Sequence, residues 1–492
     1  MKQKLSSNFV FNVLNKIVAI IIPLITMPYV TRILSSASTG EFNYSNTIAS
    51  YFALVAMMGL SMFGSRKVSV DSNSSDELNK SFSSLYFVQL INGLVCLLAY
   101  VGFVLIFCKD NPTMAWINCI YVVSCFFDLT WFISGIERFK SLAIRNITIN
   151  ILSTICIFVF VRKPTDLYIY ALIKCIAILC SQLFLFITVW RYVKLVKIDK
   201  KTILFNYKHL LVLFIPVLAE TVFHSMDRTM LGTMVGFSAV GIYYSSRMVT
   251  DIPQTVVSSI NIVMFPRQSQ LESVGEREKA KKLFDTSFEF INLLCIALAF
   301  GIASIAKDFV PLYFGEDYQE CAQCIPLLAP YIALAAWNGT IRYQILLPRN
   351  KEKIYVLAIV IGIVANLILN ILLIQQFGVR GAIFATLISE VIILIIQTAY
   401  VWKEISFAFH ALNFLAYCAF GVAMFFIVNV FSTYNSMNLV LKLIIEIVIC
   451  AVVYLLLCFV YVLLNKKLKE IIKNVLFWKR EQENDINNNA GI

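Results

Sequence analysis

Long apolar segments follow one another along the whole chain and are separated by short polar stretches. Each apolar segment is about 20 residues long, which is the length that an α-helix needs to cross the hydrocarbon core of a bilayer. The pattern therefore predicts an all-α polytopic membrane protein with about 14 transmembrane helices. The predicted spans are roughly 9–30, 41–63, 83–107, 114–134, 142–161, 166–190, 209–231, 239–264, 287–312, 325–347, 354–375, 379–402, 408–431 and 438–464.

A weak internal repeat divides these spans into two pseudo-symmetric halves of six helices, followed by two C-terminal helices. At an offset of 201 residues, Gly40 aligns with Gly241 and Ser45 with Ser246. Two membrane halves with a substrate site where they meet are a common plan of transporters. The predicted regions are an N-terminal six-helix half at 1–190, a basic cytoplasmic linker at 191–208, a C-terminal six-helix half at 209–402, two additional transmembrane helices at 403–465 and a cytoplasmic tail at 466–492.

The composition also indicates a membrane protein, since 59% of the 492 residues are hydrophobic and 14% are charged. In a soluble protein about a quarter of the residues are charged. The net charge of +12 does not indicate nucleic-acid binding, because the basic residues lie mainly in alternate connections. With a cytoplasmic N-terminus, about 28 of them fall in inner connections and about six in outer ones, as the positive-inside rule requires. We therefore expect a multi-pass protein of the cell membrane with both termini in the cytoplasm.

Several ionisable residues lie within the predicted spans. Such residues are costly at membrane depth, and they are kept mainly where they face a protein interior or a water-filled cavity. Glu220, His224 and Asp227 share one helix face, because they are spaced i, i+4, i+7, and Arg247 and Asp251 are spaced i, i+4. The pattern predicts a hydrophilic cavity inside the bundle. Its candidate cations are Lys16, Arg145, Lys174, Arg228, Arg247 and Arg342, and its candidate carboxylates are Asp128, Glu220, Asp227 and Asp251.

Cations in both halves suit an anionic substrate, especially a phosphate or diphosphate, because arginine forms paired hydrogen bonds with phosphate oxygens. The carboxylates are expected to pair with these cations in the empty site or to carry a coupling proton or sodium ion. The structural alternative is that the basic side chains extend from helix ends to the membrane surface.

No cofactor, metal site or catalytic constellation is expected. Cys321 and Cys324 form a lone Cys-x-x-Cys pair, and most of the 13 cysteines lie in apolar runs, as buried small hydrophobes do. The chain contains no Gly-Lys dipeptide and therefore no Walker A loop for a nucleotide. The sequence accordingly predicts a protein that is not an enzyme.

The order of four segments resembles the Wzx-type oligosaccharide flippases, which form the polysaccharide transport branch of the multidrug/oligosaccharidyl-lipid/polysaccharide exporter superfamily. Within the second segment, Trp131 is expected at the membrane interface, where tryptophan is favoured. The four segments are the run Pro28–Gly40, Asp128-x-x-Trp131 with Gly135-x-Glu137-x-Phe139, Asp227-Arg-Thr-Met-Leu-Gly232 with Gly241-x-Tyr243, and Phe377-Gly378-Val-x-Gly381-Ala382.

The resemblance implies a V-shaped bundle of two six-helix halves plus two further helices. It implies a substrate of undecaprenyl-diphosphate carrying a short oligosaccharide, which is moved across the cytoplasmic membrane through a cationic central cavity and driven by an ion gradient. The lipid-linked substrate and the bilayer are the expected partners, with a polysaccharide polymerase and a chain-length regulator as candidates and no nucleic acid. We expect a monomer.

Two other transport functions remain open at the level of the sequence. One is flipping of the lipid-linked peptidoglycan precursor, which would also use cations. The other is drug/cation antiport, for which an acid-rich cavity is expected, whereas cations are prominent within these spans. A membrane glycosyltransferase or polymerase is a third class, but it would need a larger outer loop than 307–324, the longest one predicted.

Overall fold

The computed structural model describes residues 18, 21–108, 112–402, 407–434, 437–465 and 468–469. In this part of the chain the regular structure is helical, without β-strands. The helices are α1 (Ile21–Ile33), α2 (Ser36–Met57), α3 (Leu60–Asp71), α4 (Ser75–Phe107), α5 (Thr113–Ser124), α6 (Thr130–Gly135), α7 (Phe139–Phe160), α8 (Leu167–Val189), α9 (Lys200–Met234), α10 (Phe237–Ser273), α11 (Arg277–Tyr313), α12 (Cys321–Leu328), α13 (Pro330–Ile341), α14 (Glu352–Phe377), α15 (Val379–Val401), α16 (Phe407–Tyr434) and α17 (Leu439–Leu464).

Thirteen helical segments within the described residues are long and apolar enough to cross a membrane, and the part of α1 that is described is a shorter apolar helix. Their outer faces carry large apolar side chains, such as Leu98 and Phe459, which are 64% and 61% exposed. Such side chains are stable facing lipid rather than water. The prediction of an all-α polytopic membrane protein with about 14 transmembrane helices is confirmed.

The chain divides into two compact units, Met1–Tyr244 (unit 1) and Ser245–Ile492 (unit 2). The division falls inside α10, and the segment 191–208, predicted as a linker, belongs to unit 1. That linker segment is helical from Lys200 onward. Before this helix the backbone is held on α4, since the N–H of Lys194 donates to Asn79 Oδ1 at 2.8 Å and the N–H of Val196 donates to Ser83 Oγ at 3.1 Å.

The first turns of α10 belong to unit 1 because they pack closely against the first turns of α2. Gly40 and Gly241, the pair related by the internal repeat, lie against each other. A Cβ atom at Gly40 would overlap the carbonyl oxygen of Phe237, and one at Gly241 would overlap that of Ser36. The hydroxyl groups of Ser36 and Ser238 are 2.9 Å apart and form a hydrogen bond. Close approach of this kind requires small residues at membrane helix crossings.

The helix predicted at 114–134 is broken at Asp128, and Trp131 is buried inside unit 1 instead of lying at the membrane interface. Its indole N–H donates to Gln89 Oε1 at 2.9 Å, and its exposure is 1%. The Gln89 amide nitrogen donates to the carbonyl oxygens of Cys125 and Asp128 at 2.6 and 3.0 Å. Gln89 therefore satisfies backbone groups that the break frees, as a membrane interior requires. The interfacial prediction was wrong because it took no account of a polar partner on α4.

In unit 2, α11 lies at the centre and packs against α12, α13, α16 and α17. The helices α14 and α15 form a tight hairpin at Gly378, which has a φ of 55°. A Cβ atom at Gly381 would overlap the carbonyl oxygen of Leu373 across this hairpin. Gly381 is thus needed for the contact between the two helices.

Candidate functional site

Arg145 lies on α7 in unit 1 and is already bonded to neighbouring polar groups. It is 6% exposed. Its guanidinium donates to Asn146 Oδ1 at 2.7 and 3.0 Å and to Gln182 Oε1 on α8 at 3.2 Å. The carboxylate of Asp128 is close enough to attract it electrostatically. Asp128 also accepts a hydrogen bond from the N–H of Thr130, the first residue of α6, at 3.0 Å. This cation and this carboxylate therefore have structural contacts that join α6, α7 and α8.

Lys174, on α8 of unit 1, is placed differently. Its ammonium lies 5.9 Å from the ring centroid of Tyr170, one turn earlier on the same helix. Among the described residues it has neither a hydrogen bond nor a carboxylate partner. A lysine in a spanning helix is costly unless something compensates its charge. Lys174 is therefore the candidate cation of unit 1 whose charge the described protein leaves available for an anionic ligand.

Asp227 and Arg228 lie side by side on α9 within a group of aromatic residues. Asp227 is 2% exposed, and the Tyr243 hydroxyl donates to its Oδ2 at 2.5 Å. Arg228 donates to Ser225 Oγ at 3.1 Å, and its guanidinium lies 5.9 Å from the ring of Tyr244. Asp227 and Tyr243 belong to one of the segments that carry the resemblance, and their contact fixes α9 against the start of α10.

Arg247 in unit 2 forms the pair that its spacing predicts. Its Nε lies 2.9 Å from Asp251 Oδ1, and its guanidinium stacks 3.6 Å from the centroid of the Tyr331 ring on α13. The side chain of Asp251 is 51% exposed and that of Arg247 is 15% exposed. The carboxyl group of Glu390 on α15 is also near Arg247. A guanidinium held over an aromatic ring and bonded to a carboxylate is restricted in the directions of its N–H groups.

Arg342 follows α13 at a short π-helical stretch, Arg342–Leu346. Its guanidinium lies 3.9 Å from the ring centroid of Tyr355 and 4.9 Å from that of Tyr343. One turn earlier, the Asn338 amide donates to Glu390 Oε2 at 2.6 Å. Single π-helical turns within α-helices often occur at functional positions. Unit 2 thus holds two arginines over tyrosine rings, one ring on α13 and the other on α14, with a buried carboxyl group near Arg247.

The remaining candidates are less informative. Lys16 lies outside the described residues. Glu220 is half-buried and His224 is exposed on α9, on the same helix as Asp227. Cys321 and Cys324 are buried in α12. In the described ranges, clusters of histidine, cysteine and carboxylate side chains suited to a metal ion are absent.

The aromatic partners of the cations were not predicted from the sequence. Tyr331 and Tyr355 hold Arg247 and Arg342, and Tyr243 holds Asp227. Only Tyr243 gave a signal, since it lies in a segment of the resemblance. The other two lie on helices other than those of their arginines, and a lone tyrosine in an apolar run does not reveal its partner.

Comparison with known proteins agrees with this architecture. The chain is 23% identical over 378 residues to a Shigella dysenteriae protein named "Putative O-antigen transporter", covering 76% of this chain and 94% of the relative. It is 28% identical over 184 residues to "Probable low-salt glycan biosynthesis flippase Agl15" of Haloferax volcanii, covering 37% of this chain and 39% of the relative.

Among solved structures, "Lipid II flippase MurJ, inward closed conformation" superimposes with a TM-score of 0.72 at 17% identity, covering 92% of this chain and 99% of that one. At this identity the likeness concerns the fold. The family model described as "Polysaccharide biosynthesis protein" matches residues 5–272, which is more than half of the 492 residues. The predicted resemblance is confirmed, and the chain belongs to this family of multi-pass membrane polysaccharide biosynthesis proteins.

Proposed function

We propose that this protein flips undecaprenyl-diphosphate-linked oligosaccharide repeat units across the cytoplasmic membrane for the synthesis of a surface polysaccharide. It would do so by alternating access, coupled to a proton or sodium gradient, with both termini in the cytoplasm. A polysaccharide polymerase and a chain-length regulator are the candidate proteins that act on the flipped units. The relatives named above are called a transporter and a flippase, and not enzymes, which supports a transport function.

The main support for this proposal is the environment of the Lys174 ammonium group. Its ammonium lies in a spanning helix without a hydrogen bond or carboxylate among the described residues. A diphosphate is the part of a lipid-linked saccharide that would compensate this charge, because phosphate oxygens accept strong charge-assisted hydrogen bonds. Arg247 and Arg342, with their guanidinium groups placed on tyrosine rings, are further candidates for phosphate contacts.

The contacts of the candidate carboxylates argue against drug/cation antiport. A site for a cationic drug needs carboxylates that are free to meet the drug. Here Asp227 accepts a hydrogen bond from Tyr243, Asp251 pairs with Arg247, and Asp128 accepts a hydrogen bond from the N–H of Thr130. Among the described residues of unit 1, the candidate ionisable group that has neither a hydrogen bond nor an ion-pair partner is the basic Lys174.

The test is the pool of lipid-linked saccharides in cells depleted of the protein. We expect undecaprenyl-diphosphate oligosaccharide to accumulate on the inner leaflet while surface polysaccharide is lost, and the sugars of the accumulated lipid will identify the cargo. A pool made of the peptidoglycan precursor would assign the protein to that lipid instead. An unchanged pool together with new sensitivity to cationic drugs would contradict the proposal and favour the antiporter.

A further inference from the structure

A histidine in unit 2 lies between two carboxylates at one end of the contact between α11 and α16. His410 Nδ1 is 2.5 Å from Glu289 Oε1, and His410 Nε2 is 2.8 Å from Asp285 Oδ1. The side chains of His410 and Glu289 are 1% and 4% exposed, and that of Asp285 is 19% exposed. One carboxylate of the cluster therefore reaches the surface while the other is enclosed.

This geometry sets the number of protons that the cluster holds. An ionised carboxylate oxygen can only accept a hydrogen bond, and a neutral imidazole has one N–H and one bare nitrogen. Both ring nitrogens face carboxylate oxygens at hydrogen-bond distance, so both contacts require a hydrogen. The cluster must hold one proton more than a neutral histidine and two carboxylates. Without that proton, a bare nitrogen would face a carboxylate oxygen at the same distance, and the two would repel each other.

The described groups that pack around the cluster do not supply another positive charge in place of this proton. On α16, the Tyr417 hydroxyl donates to Glu289 Oε2 at 3.3 Å. The titratable groups that α17 brings to Tyr417 are Tyr461, whose hydroxyl donates to Asn413, Cys458 and Tyr454. On α11, one turn before Asp285, Lys281 and Lys282 are exposed. The aromatic rings of Phe284 and Phe288 flank the imidazole, and Trp337 of α13 packs behind Phe288.

The opposite end of the same three helices is held by a different cation. Lys442 of α17 lies 2.9 Å from Asp308 of α11, and Ser432 of α16 donates to the same carboxylate at 2.7 Å. Glu446 is buried on α17 one turn after Lys442. A lysine ordinarily stays charged throughout the pH range of cells, whereas a histidine ordinarily changes its charge within that range.

Between the two ends, the three helices pack through buried apolar side chains, such as Cys295, Met424 and Tyr454. An apolar cavity of about 300 Å³ lies among α11, α16 and α17, and Leu298, Gly301, Met424, Ile447 and Leu455 are part of its lining.

We propose that Asp285, Glu289 and His410 form a proton-binding site whose proton fastens one end of the α16–α17 pair to α11. Lys442 and Asp308 fasten the other end and do not depend on this proton. Loss of the proton from His410 separates α16 from α11 at the histidine end only. Asp285, which reaches the surface, is the route by which the proton leaves. This site does not depend on the proposed transport function.

The proton count is measured by nuclear magnetic resonance of protein labelled at histidine with ¹⁵N. The chain has three histidines, and His209 and His224 are exposed, so they serve as internal references. We expect both ring nitrogens of His410 to carry hydrogen at neutral pH, and the Glu289→Gln variant to lose one of them. A bare ring nitrogen on His410 in the wild-type protein at neutral pH would overturn the proposal.

Helix separation is measured by the distance between two spin labels in a protein cleared of reactive native cysteines. Labels at Phe290 and Leu412 report the histidine end, and labels at Lys307 and Thr433 report the lysine end; all four positions are exposed. We expect His410→Gln to lengthen the first distance at every pH and to leave the second unchanged. In the wild-type protein the first distance should lengthen over the pH interval in which His410 loses its proton. An unchanged first distance in either case would refute the helix release, whatever the protein transports.

Discussion

Lys174 and Arg145 lie on adjacent packed helices of unit 1, and their surroundings give them different roles. Arg145 donates to Asn146 and Gln182, whereas Lys174 has no such acceptor in the described part of the chain. An arginine that is already bonded contributes to the packing of α7 on α8. A lysine that lacks an acceptor gains most from a ligand that brings one.

We predict that Lys174→Ala lowers transport of the lipid-linked saccharide about tenfold to a hundredfold, since one charge-assisted hydrogen bond contributes roughly 1.5–3 kcal/mol. Lys163→Ala removes an equal charge from an exposed position of the same unit and should leave transport unchanged. The measurement is the accumulated lipid-linked pool in depleted cells that carry each variant at equal protein level. If the Lys174→Ala variant transported the saccharide at the wild-type rate, Lys174 would not be part of the substrate site.

Trp131 illustrates a residue whose importance is structural. Trp131→Phe keeps the aromatic packing against Gly64 and Phe82 but leaves Gln89 Oε1 without its donor. An unsatisfied buried acceptor costs about 1–3 kcal/mol. We therefore expect a lower apparent melting temperature in detergent.

The control for this substitution is Trp116→Phe, because Trp116 is 42% exposed on the apolar surface. It should melt close to the wild-type temperature. Equal melting temperatures of the two variants would show that the hydrogen bond from Trp131 to Gln89 contributes little to stability.

The sequence was sufficient to find charged residues within spans, because a charge in an apolar run is visible without a structure. It also predicted the pairing of Arg247 with Asp251, since both lie on one helix four residues apart. The sequence could not predict which of these cations contact a hydrogen-bond acceptor, a carboxylate or an aromatic ring in the folded protein. Gln182 and Tyr331, which contact Arg145 and Arg247, come from other helices, and a side-chain partner of this kind follows from tertiary packing.

At the scale of helices, the four segments that carry the family resemblance prove to be contact points between helices. Gly232 lies against Tyr44, and Gly241 against the backbone of α2. Gly135 lies against Val68 on α3. These residues specify the fold rather than the cargo, which is why the resemblance predicted the architecture but did not identify the binding residues.

We predict that Gly40→Ala disrupts the contact between α2 and α10, because the added methyl group would overlap the Phe237 carbonyl. The folded yield in membranes should fall markedly, since overpacking a well-packed contact costs roughly 1–3 kcal/mol or more. Gly102→Ala on α4 is the control, because a Cβ atom there has nothing within 4 Å. Its yield should equal that of the wild type or exceed it, since alanine favours helix over glycine.

The yield is measured by fluorescence-detected size-exclusion chromatography of solubilised membranes. A monodisperse Gly40→Ala protein at wild-type yield would contradict the close contact between the two repeat-related glycines.

The length of the apolar segments predicted the spanning helices well, but it could not predict where these helices are interrupted. The span expected at 41–63 is divided into α2 and α3 at Met58 and Gly59, whose φ values are 32° and 73°. The break at Asp128 depends on Gln89 from another helix. The hydrophobicity of a segment does not show whether a side chain from another helix forms hydrogen bonds with its backbone groups.

At the scale of the whole molecule, the separate features agree with one function. The family is one of polysaccharide biosynthesis proteins, the helices cross a membrane, and a lysine inside unit 1 lacks an acceptor among the described residues. A proton site in unit 2, at His410, would add a response to pH without changing the cargo.

The most direct test of the central claim is flipping by the purified protein in liposomes that contain undecaprenyl-diphosphate oligosaccharide in both leaflets. A glycosidase added outside cleaves only the saccharide in the outer leaflet. We expect cleavage to stop near one half in protein-free liposomes and to approach completion when the protein is present, with Lys174→Ala slower than wild type. Cleavage that stops near one half with the wild-type protein under a proton or a sodium gradient would contradict the claim that this protein flips lipid-linked oligosaccharide.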